Sequence, residues 1–142
     1  MDVNAIRAVA VLFGAVYVIA GLAGFLPAFV TDEAPPTMPS AEGNLLGIFP
    51  INTAHNLVHI AIGAALLYGA TATRTARMAA RVVGIIYVGL AVLGLFVPDG
   101  FGLVPIGGAD VLLHLVTAAV LLYIGFVVEA SDSPTGLGSC AR

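Results

Sequence analysis

The chain has 142 residues, one domain's length, with 60% hydrophobic and only 9% charged residues. A soluble domain carries about 25% charged residues, so at a mean hydropathy of +1.07 water is not the main solvent of this chain. A net charge of −3 with no lysine excludes a basic surface for nucleic acid. Cys140, the one cysteine, excludes an internal disulfide and a metal site built on thiolates.

Four apolar segments follow in order, about Ala8–Val30, Thr53–Ala70, Ala79–Val97 and Ala109–Val128. Each is near the roughly 20 residues a helix needs to cross a ~30 Å hydrocarbon core. The first is too long for a signal-peptide core and has no A-x-A cleavage site. Strands are unexpected, because the runs lack period-2 alternation and one short chain cannot close a barrel. The expected fold is therefore all-α, an integral membrane four-helix bundle over residues 1–130.

The connections sort by charge. Arg7, the loop Thr71–Arg81 with Arg74, Arg77 and Arg81, and Arg142 all fall on one side of the four spans. Asp32, Glu33, Glu42, Asp99 and Asp110 fall on the other. The positive-inside rule puts both termini and the arginine loop in the cytoplasm, so the expected location is the cytoplasmic (inner) membrane. The outer loop Thr31–Gly43, rich in proline and acids, is expected to be extended or mobile. The tail, residues 131–142, is expected to be disordered.

The chain repeats itself. Gly47–Leu67 aligns without a gap with Gly102–Leu122 at an offset of 55 (His114 minus His59). Gly14, Tyr17, Val18 and Gly24 match Gly84, Tyr87, Val88 and Gly94 at an offset of 70 (Tyr87 minus Tyr17). The expectation is two tandem helix hairpins. Each holds an even number of spans, so both face the same way and their pseudo-two-fold axis runs along the membrane normal.

Polar residues fall on stripes with 3- and 4-residue spacing. Gly14, Tyr17, Gly21 and Gly24 share one stripe, and Gly84, Tyr87, Ala91 and Gly94 its counterpart. The glycines allow close helix packing. Asn52, His55, His59 and Gly63, then Gly107, Asp110, His114 and Ala118, form the other two stripes. His59 and Tyr17 lie at similar depth, about 13–15 Å from Pro50 and Pro27 at 1.5 Å per residue. His114 and Tyr87 repeat the relation, so two Tyr–His hydrogen bonds, or a His–His contact across the axis, are expected to fix helix register.

A sharper reading makes His55, His59, Asp110 and His114 ligands of a divalent metal or haem, since two i, i+4 pairs face one another. Against it, Asp110 suits a helix N-terminus, and Asn52 and Thr53 suit caps. No titratable residue joins the His layer to Arg7 or Glu129, so no continuous proton relay is visible. No serine lies in a span, which leaves a lipid- or quinone-directed enzyme without a nucleophile–base pair.

The segment Phe49, Pro50, Ile51, Asn52, His55, Asn56 and His59 resembles the L-F-P-[VL]-N-x-x-H-N-x-x-H-L pattern of a family of small bacterial and archaeal membrane proteins. That family is the domain-of-unknown-function family numbered 4383, and the resemblance covers about residues 5–128. It implies four membrane helices and brings no established activity or cofactor. The expected function is a non-enzymatic accessory subunit that meets the lipid bilayer and associates with itself or a larger membrane complex. No cofactor is expected, and metal or haem ligation is the alternative.

Overall fold

The computed structural model describes residues 3–128. Glu129, Cys140, Arg142 and the tail expected to be disordered lie outside the described residues. Of the described residues, 70% are helical. Helix α1 spans Val3–Ala23, α2 Thr53–Gly69, α3 Thr73–Phe96 and α4 Ala109–Leu122, the last continuing through a wide π turn, Tyr123–Val127.

Three helices, Asn4–Ala23, Thr73–Phe96 and Ala109–Val127, are long and apolar enough to cross a membrane. Their outward faces carry large apolar side chains such as Leu12, Ile19, Leu95 and Phe126. Water would not tolerate that surface, whereas hydrocarbon does. The chain is a membrane protein. Helix α2 has 17 residues and falls just below that length.

Local chemistry sets the ends. Helix α1 begins at Val3 rather than Ala8 and stops at Ala23, because Gly24 and Pro27 follow and Pro27 opens a separate 3-10 turn. Proline has no N–H to continue a helical ladder. Helix α3 begins at Thr73, so Arg74, Arg77 and Arg81 are helical residues and the expected loop Thr71–Arg81 shrinks to a tight turn.

Strands do form, against expectation. Val30–Thr31 (β1), Gly43–Leu45 (β2) and Phe49–Ile51 (β3) make an antiparallel sheet in the order β1-β2-β3. Strands of two or three residues are too short to show alternation, which is why the sequence pattern misses them. Leu46 and Gly47 both have positive φ and close the β2–β3 hairpin, the geometry of a type I′ turn. Pro50 sits in the edge strand β3, where its missing N–H is harmless. The stretch Thr31–Gly43, expected to be extended or mobile, folds through short turns that bury Met38.

Helix α1 packs chiefly along α2, and α3 along α4, while α3 also touches α1 and α2. Glycine permits the closest approaches. A Cβ built on Gly63 would lie 2.6 Å from the Gly14 carbonyl oxygen, so the two backbones touch. The core between the helices is small, centred on Ile6, Tyr17, Leu66, Val83, Tyr87 and Leu121.

At the arginine end, guanidinium groups satisfy helix C-terminal carbonyls that no N–H can reach. Arg7 Nε donates to Ala70 O at 2.8 Å, Arg77 Nη2 to Val128 O at 2.8 Å, and Arg81 Nε to Gly125 O at 2.6 Å. Arg81 also lies over the Phe126 ring, 4.5 Å from its centroid, a cation–π contact.

Candidate functional site

The polar layer begins where β3 runs into α2. Asn52 caps α2, its side-chain oxygen accepting from His55 N at 2.8 Å. Its Nδ2 donates to Ser40 O at 3.1 Å and Leu103 O at 2.9 Å. One amide thus joins the helix to both outer connections. Beside it the Glu42 carboxylate accepts from Thr53 N and Thr53 Oγ1, at 3.1 and 3.0 Å, a negative charge at the positive end of the helix dipole. Asp99 Oδ1 accepts from Ser40 N at 2.9 Å and Ser40 Oγ at 2.5 Å. These bonds fasten an outer cover over the helices.

Beneath the cover five rings form a continuous contact chain. His55 and His59, one turn apart on α2, meet edge to face with centroids 4.4 Å apart and Nε2 atoms 3.1 Å apart. One Nε2 donates and the other accepts, so neutral tautomers suffice. His59 meets Tyr17 at 5.0 Å, Tyr17 meets Tyr87 at 5.3 Å, and Tyr87 stacks on His114 at 4.9 Å and 20°. The chain runs through α2, α1, α3 and α4 in turn.

Both Tyr–His pairs are in contact, but through ring faces and edges and not through hydrogen bonds. The Tyr17 hydroxyl reaches past His59 to Thr117 Oγ1, 2.9 Å away on α4. Thr117 was not singled out from the sequence. The available signal was its being the one hydroxyl residue of α4, three positions after His114. The Tyr87 hydroxyl lies beside that of Tyr17 without forming a hydrogen bond of good geometry.

His55, His59, His114 and Tyr87 line a cavity of about 240 Å³ whose remaining walls are apolar, among them Val58, Leu90, Leu93 and Leu103. Asp110 is fully buried in the first turn of α4 but does not line this cavity. Its carboxylate oxygens have no hydrogen-bond partner among the described residues, nor do His59 Nδ1, His114 Nδ1 and Asn56 Oδ1. Groups of this kind cost several kcal/mol each in an apolar setting unless something satisfies them. Among the described residues no three His, Cys, Asp or Glu side chains converge as a group able to hold a metal ion.

The glycine stripes lie at the helix contacts. Gly14 meets Leu67 and Gly63, Gly21 meets Asn56 O and Ile60, and Gly24 lies against the Asn56 amide. On the other side Gly84 meets Leu122, and Gly94 meets Ile106 O and Val111. His59 and His114 are 5% and 2% exposed, so neither imidazole faces the surrounding medium.

In comparisons with known proteins, residues 7–127 match the model of a family described as Domain of unknown function (DUF4383). No curated protein and no solved structure matches.

Proposed function

The chain belongs to the DUF4383 family, and on that premise we propose that it is a non-enzymatic accessory subunit of the cytoplasmic membrane. Its four helices form a bundle of two tandem hairpins held together by the ring layer. The reading rests chiefly on one observation, that the inward polar groups contact each other across all four helices while the outer surface is apolar. Membrane helices with small-residue faces and no charged exterior associate through packing. Gly89, on α3, has open space around it and offers such a face to a second copy or to a larger complex.

Equivalent contacts support the repeat. Adding 70 to the first residue and 55 to the second converts Gly14–Leu67 into Gly84–Leu122, and each glycine Cβ would meet its leucine Cγ at 2.8 Å. The same shift converts Tyr17–His59 into Tyr87–His114, at 5.0 and 4.9 Å. Ala70 and Gly125 are likewise 55 apart, and each carbonyl accepts from an arginine.

The arginine-rich end supports a cytoplasmic placement of both termini. Single cysteines at Thr71 and Ala34, in a Cys140→Ser background, test it with a membrane-impermeant thiol reagent on intact cells. The Ala34 position is expected to label and the Thr71 position to be protected; the reverse pattern overturns the orientation. Crosslinking in native membranes tests the accessory role, and a chain recovered only as monomer, both there and in mild detergent, overturns it.

A second reading, metal or haem ligation, draws on the approach of His55 Nε2 and His59 Nε2 to 3.1 Å. Elemental analysis and a visible spectrum of the purified protein test it, and a native sample free of metal and haem overturns it.

A further inference from the structure

We propose that the cavity beneath the outer cover binds the ring headgroup of a quinone or quinol dissolved in the membrane. This goes beyond the accessory role, and the cavity exists whether or not the chain associates.

Three features of the cavity select the ligand. The first is unmet hydrogen bonding. His59 Nδ1, His114 Nδ1 and the Tyr87 hydroxyl are enclosed without partners, and it is the rest of each ring that lines the cavity. His114 Nε2 is not among the enclosed atoms and makes no hydrogen bond to another described residue, which leaves it open to the cavity its ring lines. A neutral imidazole has one donor and one acceptor, and a phenol can be either. According to its tautomer, His114 Nε2 can therefore donate to a quinone carbonyl or accept from a quinol hydroxyl.

The second feature is the absence of charge. No arginine or carboxylate lines the cavity, so a phosphate or ammonium headgroup would be buried without a counter-charge, at a cost of several kcal/mol. The ligand is neutral.

The third feature is size and access. A cavity of about 150 Å³ lined by apolar side chains holds benzene, so 240 Å³ takes a single substituted ring. Leu103 and Val58, on the cavity wall, are 70% and 41% exposed on the apolar outer surface. A tail attached to the ring would pass between them into the acyl chains.

The test uses the full chain in nanodiscs, with decylubiquinone as probe and empty discs as reference, bound probe being quantified after equilibrium dialysis. Saturable binding of one equivalent per chain above the empty-disc background is expected. Leu90→Trp fills the cavity and is expected to abolish it, while Leu112→Trp, on an exposed face of α4, is expected to leave it unchanged. His114→Phe keeps the ring stacked on Tyr87 but removes both nitrogens, and is expected to weaken binding at least tenfold. Should Leu90→Trp fail to fold, His114→Phe carries the test alone. Binding no greater than to empty discs overturns the proposal. So does unchanged binding in His114→Phe, or equal competition by decylbenzene, which has the tail and ring but no oxygens.

Discussion

The Asn52 amide serves three partners: it caps α2 through His55 N and ties down Ser40 O and Leu103 O. Losing a cap alone costs about 0.5–2 kcal/mol, and here two further carbonyls lose their donor. Asn52→Ala is therefore expected to destabilise the protein by about 2 kcal/mol, read from unfolding in mixed detergent. Asn52→Asp keeps the capping oxygen and loses the donors, so it should fall between wild type and alanine. Tyr17→Phe and Thr117→Val each remove the same hydrogen bond, worth about 0.5–1.5 kcal/mol. Their double mutant should cost clearly less than the two single losses added together. The four stripes that carry Tyr17, Tyr87, His55 with His59, and His114 are legible from 3- and 4-residue spacing alone. What was not legible is which atom each side chain satisfies. Tyr17 chose Thr117 over His59 because a phenol projects its hydroxyl well beyond the ring, and sequence spacing says nothing about reach across helices.

Among elements, the helix contacts differ sharply in how much room they leave. At Gly63 an added Cβ would meet the Gly14 carbonyl at 2.6 Å and Val18 N at 2.7 Å. Backbone cannot swing aside, so Gly63→Ala is expected to cost about 1–3 kcal/mol through overpacking. Gly89 meets nothing within 4 Å, and alanine is the better helix former by about 1 kcal/mol. Gly89→Ala should therefore be neutral or stabilising in the isolated chain, and comparing the two variants in one unfolding assay checks the packing. The existence of the helices was plain in the sequence, since long apolar runs have few alternatives in a bilayer. Their ends were less plain. Thr73–Met78 reads as polar loop by composition, yet it is the first part of α3. Its arginines complete the far ends of neighbouring helices, a long-range partnership that no local pattern carries. The sheet was missed for a related reason: its strands are shorter than the window in which alternation can be seen.

For the molecule as a whole, the outer cover makes one unit of segments far apart in the chain. Ser40 and Asp99 are joined across 59 positions, and Asn52 and Leu103 across 51. Nothing in the composition of either segment announces that they meet. The 17 residues of α2 rise only about 26 Å, short of a ~30 Å hydrocarbon layer, whereas the 24 residues of α3 rise about 36 Å. On the proposed four-span topology, the small sheet and its hairpin are expected to sit partly below the level of the lipid headgroups, on one flank of the protein. Lipids there would dip to keep the β-hairpin's free edge wetted, at a fraction of a kcal/mol for each ångström of mismatch. Reconstitution should accordingly be more efficient, and unfolding slower, in bilayers of fourteen-carbon chains than of twenty-two. In a membrane of uneven thickness, such a lopsided protein would gather where the sheet of lipid is thinnest.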